Sequence, residues 1–142
     1  MMKRYQEFAM HLDQLLGGVQ AVCITVPGFM PLSVEEIGSS DNGHRLVSLC
    51  HYGEQNGDLM RDPDIVFLFH NLSDGTAAEP VSFRNDYLGI VQEVYRYDEA
   101  GKRTHVFPTL KQDLQEFARA WFATLRDQGF FAPTAVREIL SP

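Results

Sequence analysis

From residue 19 to residue 107 the chain alternates short apolar or β-branched runs with turn signals, and the gaps between runs are short. Runs at 19–26, 30–37, 45–52, 64–70, 81–84, 88–97 and 104–107 read as strands, the fifth and sixth interrupted at Asn85-Asp86. Parallel neighbours need a crossover of roughly a dozen residues or more, usually a helix, so strands this close must pair antiparallel. In the run 64–70, Ile65, Phe67 and Phe69 point one way and Val66, Leu68 and His70 the other. Both of its faces are largely apolar, which predicts a strand inside the sheet and not at its edge.

Helical spacing frames the strands. Tyr5, Phe8, Ala9, Leu12, Leu15 and Leu16 recur at three- and four-residue steps, and Gly17-Gly18 ends that pattern. Leu110, Leu114, Phe117, Trp121 and Leu125 form a second stripe that stops at Gly129, with Thr109 and Gln112 spaced as a capping box. Pro133 is placed to open a last short helix through residue 140. Residues 38–43 read as a polar turn and 71–80 as a loop, and 53–63, unlike the rest in its polar make-up, lies between two strands that would form a hairpin. The expected fold is α+β. It has an antiparallel sheet of about six strands, with the N-terminal helix and the long C-terminal helix packed on one face, in a single domain over 1–142.

Composition narrows the function. Of 142 residues, 44% are hydrophobic, which suffices for a core and argues against a disordered tail. The formal charge is −7, from 12 basic and 19 acidic residues. Such a chain is not expected to bind a nucleic-acid backbone, which requires clustered Lys and Arg. Cys23 and Cys50 sit in apolar runs and read as buried thiols of a reducing compartment, with one disulfide between them left open. No signal-peptide pattern and no membrane-length apolar run occurs, so the expectation is a cytoplasmic protein with no membrane partner.

One stretch has site character. Residues 51–64 collect His51, Glu54, Asp58, Asp62 and Asp64 beside Asn56. Clustered carboxylate oxygens suit a divalent cation, with Asp58, Asp62 and Asp64 as candidate ligands and His51 as a nitrogen donor. Close carboxylates also raise one another's pKa, as general acid/base chemistry requires. The same residues suit a solvated hairpin, since Asn56-Gly57 is a tight-turn pair and Asp and Asn cap their own backbone. No calcium-loop, zinc-helix, nucleophile-elbow or phosphate-loop pattern is present, and no organic cofactor is implied. Cys50 and His51 are adjacent, so on a strand they face opposite ways and make a poor nucleophile–base pair.

Several strings resemble a bacterial domain family of unknown function found on plasmids and integrative elements. They are Glu54-Gln55-Asn56-Gly57-Asp58-Leu59-Met60-Arg61-Asp62-Pro63-Asp64, Arg84-Asn85-Asp86-Tyr87-Leu88-Gly89, Gln92-Glu93-Val94-Tyr95, and Asp113 through Trp121-Phe122 to Phe130. The resemblance spans about residues 25–131, and its most specific part is Asn-Gly-Asp-Leu-Met-x-Asp-Pro. It implies a mobile-element setting and brings no activity, and it adds Asn85 and Asp86 to the candidate site. The leading expectation is a non-enzymatic accessory or interaction domain with an unidentified protein partner. A metal-assisted hydrolase using residues 51–64 and an acidic nucleic-acid mimic are the alternatives.

Overall fold

The computed structural model describes residues 2–40 and 43–140. The elements in chain order are α1 (Met2–Leu16), β1 (Ala21–Thr25), β2 (Leu32–Ser39), β3 (Arg45–Gln55), β4 (Asp58–Leu72) and β5 (Gly75–Asn85). They continue with β6 (Ile90–Glu93), β7 (Tyr95–Tyr97), β8 (Arg103–Val106), α2 (Pro108–Gln128) and β9 (Val136–Ile139). Seven strands form one sheet in the order β6-β5-β4-β3-β2-β1-β9, and every neighbouring pair is antiparallel. The first six are a plain meander, as short connections demand. β7 and β8 pair separately as a small hairpin.

Both helices lie on one face of the sheet. The buried stripe of α1 (Tyr5, Phe8, Ala9, Leu12, Leu15 and Leu16) matches its sequence spacing residue for residue. The two helices meet the sheet at a triangle of rings: Phe8 of α1, Phe67 of β4 and Phe122 of α2, with centroids 5.6 to 5.9 Å apart. Val22, Ile24, Leu32, Val34, Val47, Leu49, Ile65 and Phe67 are fully buried beneath them.

Four expectations need correction. The sheet has seven strands, not six, because residues 136–139 are not helical. β9 pairs with the free edge of β1, Val22 opposite Ile139 and Thr25 opposite Val136. Arg137 fixes it further by donating from Nη2 to the Leu16 carbonyl (3.1 Å) at the end of α1. An open strand edge offers four residues more backbone hydrogen bonding than one short helical turn can.

The capping box does not form. Pro108 opens α2 at its first turn and Phe107 is the N-cap, without a side-chain cap, so Thr109 already lies inside the helix. The 71–80 loop is instead a continuation of β4 and β5 with a two-residue turn. Pro80 suggested a loop, but it occupies a β-bulge opposite Phe67, where a missing N–H is tolerated. The 53–63 stretch is the hairpin that Asn56-Gly57 signalled, with Asn56 (φ 53°) and Gly57 (φ 86°) in the left-handed conformations a tight turn requires. Of the expected 38–43 turn, Asp41 and Asn42 lie outside the described residues, while the Gly43 N–H donates to the Ser40 carbonyl (2.8 Å).

The ring triangle gives a stability prediction. Phe67→Ala should lower the unfolding free energy by about 3–5 kcal/mol, measured by urea denaturation. A loss below about 1 kcal/mol would show that the triangle does not hold the layers together.

Candidate functional site

The residues singled out in the sequence divide among three places. His51 turns toward the helices. Its ring lies between Trp121 (5.6 Å) and Phe130 (5.4 Å), and Nδ1 donates to the Pro31 carbonyl (3.2 Å). Burial pushes its pKa below 6.5, so it is a neutral packing residue of the core face. Cys50, its neighbour, faces the opposite way beside Asp64, as alternation requires.

Asp62, Asn85 and Asp86 do converge, at the foot of a projecting arm. β2 pairs with β3 only as far as His51, and β5 pairs with β4 only from Asp64 onward. Residues 52–61 therefore stand out as a two-stranded ribbon, with Glu54, Asn56 and Asp58 exposed near its tip. Its base is clamped by the segment after β5. Asn85 donates from Nδ2 to the Asp62 carboxylate (2.8 Å) and accepts the Leu88 N–H at Oδ1 (3.1 Å). The Asp86 carboxylate accepts the Arg61 N–H (2.8 Å) and Arg84 Nε (2.9 Å), and the Asp86 N–H donates to the Arg61 carbonyl (2.8 Å). The Arg61 N–H, then Arg84, hold this carboxyl below the usual carboxylate range. The Tyr87 hydroxyl presses on Gly53, where any Cβ would collide with it.

Asp64 belongs to the third place, the sheet face turned away from the helices. Ser33, Cys50, Asp64 and Arg84 stand in one row across β2–β5. Ser48 Oγ donates to Asp64 (2.6 Å). Burial raises the Asp64 carboxyl above its ordinary value and pushes the Cys50 thiol up to about 12. A thiol that stays protonated at neutral pH is a poor nucleophile. Ser33 stands in register between Cys23 and Cys50, roughly two strand spacings of ~4.8 Å each. That exceeds the reach of a disulfide, and both cysteines are free. Asp58, Asp62 and Asp64 thus lie on the arm, at its base and on the sheet face. Among the described residues, no group of three or more His, Cys, Asp or Glu side chains could hold a metal ion.

The away face also carries residues the sequence reading did not single out. The β7–β8 hairpin folds beside it and leaves a groove of about 920 Å³. Its sheet side carries Leu46, Val66, Leu68 and His70, and its hairpin side Tyr95, Tyr97, Lys102 and Arg103. Behind it lies a buried carboxylate, Glu79, only 4% exposed. Glu79 accepts hydrogen bonds from the Tyr95 hydroxyl and from His70 Nε2 (3.1 Å), and Lys111 Nζ lies 3.5 Å away. Burial, then the Glu79 bond, raises the Tyr95 hydroxyl's pKa. A lone Glu in Ala77-Ala78-Glu79-Pro80 was the available signal, because a charge in an apolar strand must be paired.

A meandering antiparallel sheet with two helices on one face, a projecting arm clamped at its base and a groove on the away face defines an α+β domain. The chain belongs to the family described as domain of unknown function DUF6908, which matches residues 3–131. No curated protein and no solved structure matches it. No helix among the described residues is long and apolar enough to cross a membrane.

Two measurements follow. Asn85→Ala leaves the partly buried Asp62 carboxylate and the Leu88 N–H without their partner. It should cost about 1–3 kcal/mol and speed hydrogen exchange in 52–61 while β1, β2 and the sheet-paired parts of β3 (45–51) and β4 (64–72) stay protected. Unchanged exchange in the arm would show that Asn85 does not hold it. The second concerns pH. A His whose folded pKa is depressed stabilises above its unfolded value and loses that contribution as pH falls through the folded one. His51 should therefore lower stability as pH drops below 6.5. His11, lowered by burial and by Arg126, acts in the same direction. Urea midpoints between about pH 7.5 and 5 should fall less steeply in His51→Gln than in the wild type; equal slopes would refute the assignment.

Proposed function

We propose that the protein is a non-catalytic accessory or interaction domain of a bacterial mobile element, and that its β3–β4 arm meets a protein partner. One observation carries this reading. Three side chains from the motif strings, Asp62, Asn85 and Asp86, tie down the base of the arm by hydrogen bonds. A two-stranded ribbon fixed at its base is pre-ordered, so less conformational entropy is lost when it docks.

The arm also presents suitable chemistry. Leu59 is 70% exposed, and Leu88 beside the clamp is 69% exposed. Glu54 and Asp58 flank Leu59 in the turn region without a basic residue between 54 and 60. An acidic ribbon with exposed leucines fits a partner surface that is apolar at its centre and basic at its rim. The bacterial mobile-element setting rests on the resemblance of the motif strings, and a cytoplasmic location goes with it. The acidic-mimic alternative gains less support, because the carboxylates are dispersed. Asp13 and Glu36 pair with Arg45, Glu116 pairs with Arg4 and Arg119, and Glu79 is buried.

The test is crosslinking from position 59 in bacterial cells, followed by recombinant preparation of the captured protein. Its affinity should fall about tenfold or more for the triple variant Glu54→Lys, Asp58→Lys, Leu59→Ala, with an unchanged unfolding midpoint. Equal affinity for wild type and variant would overturn the reading, as would small-molecule turnover that the arm substitutions abolish.

A further inference from the structure

We infer that the groove between the away face of the sheet and the β7–β8 hairpin binds a small planar organic anion, a ring joined to one anionic group. The volume is of the right order: about 920 Å³ lies within the range of small-molecule sites. The chemistry of the lining supplies the two halves of the ligand.

The first half is a place for a flat apolar body. Leu46, Val66 and Leu68 give the sheet side of the groove an apolar surface, and Tyr95 and Tyr97 stand across from them. Tyr95 is held rigidly. Its hydroxyl donates to buried Glu79 and accepts from Lys111 Nζ (3.0 Å), so the ring cannot rotate away without breaking both bonds. That ring is only 3% exposed and carries Arg103 over it, so it fixes the guanidinium in place, and the exposed Tyr97 ring is the one left for stacking.

The second half is positive charge. The chain carries −7 overall, yet the groove lining holds Lys102 and Arg103 against a single carboxylate, Glu93. Glu79 does not offset them in the groove, since it is buried against Tyr95, His70 and Lys111. The Arg103 guanidinium lies over the Tyr95 ring, 3.6 Å from its centroid. Among the described residues, neither Arg103 nor Lys102 donates a side-chain hydrogen bond or forms an ion pair. A guanidinium stacked on tyrosine with unused donors matches an anionic oxygen group. His44 and His70, whose ring centroids are 5.3 Å apart, close the other end of the groove.

The same chemistry is found in aromatic carboxylates and in nucleoside monophosphates, and the probes separate them. 1-Naphthoate and adenosine monophosphate are titrated into the full chain by calorimetry, with acetate, inorganic phosphate and adenosine as the separate halves. One or both whole probes should bind at least tenfold more tightly than its halves. Binding should weaken at least fivefold in Arg103→Gln and in Tyr97→Ala, both at exposed positions, and should tighten in Glu93→Gln, where a like charge is removed. It should also weaken as salt rises from 50 to roughly 300 mM. Failure of both probes to bind, or binding unchanged in the three variants, would overturn the inference. The arm variants of the preceding section should leave these affinities unchanged, so the two proposals fail independently.

Discussion

The contact of Phe8, Phe67 and Phe122 decides the rest of the molecule. Each ring comes from a different element, and their mutual distances of 5.6 to 5.9 Å place α1 and α2 together over β4. Burial of large aromatic side chains is among the strongest contributions a domain of this size has. With both helices gathered over one face, the other face is left to the β7–β8 hairpin alone. In the row from Ser33 to Arg84 on that face, the partly buried Asp64 is satisfied by the Ser48 hydroxyl. The arm and the groove both belong to what the helices do not cover.

Much of the fold was legible in particular residues. The tight spacing of runs required antiparallel pairing, Asn56-Gly57 marked a hairpin, and the two-sided apolar pattern of residues 64–70 placed β4 inside the sheet. The errors also have local causes. Pro80 was read as part of a loop and Pro133 as the first residue of a helix, yet Pro80 sits at a bulge and the chain after Pro133 continues as strand. Thr109 and Gln112 have the right spacing for a cap, but Pro108 one residue earlier starts the helix first. In each case a tertiary position, not the residue's preference, settled the outcome.

The site was less legible. Asp62, Asn85 and Asp86 were singled out and do meet, because hairpin connectivity brings the start of β4 and the end of β5 side by side. His51 and Asp64 were grouped with them by sequence distance, although a bulge between Cys50 and Tyr52 and strand alternation send them to opposite faces. The Glu79 network escaped notice because its partners come from β4, β7 and α2. Nothing in local spacing links a strand glutamate to a lysine in a helix four elements later.

The seventh strand deserves a different description from the other six. β9, at Val136–Ile139, lies beyond residues 3–131, the part shared with the family. Within that shared part the large sheet is a six-stranded meander whose first strand has one side unpaired. β9 occupies that side with side chains that are all exposed, so it adds backbone pairing and almost no core. It acts as a guard on the sheet's margin: it converts a bare template for chain-to-chain pairing into a short outer strand bearing Arg137 and Glu138, charges of the kind that discourage further strand addition.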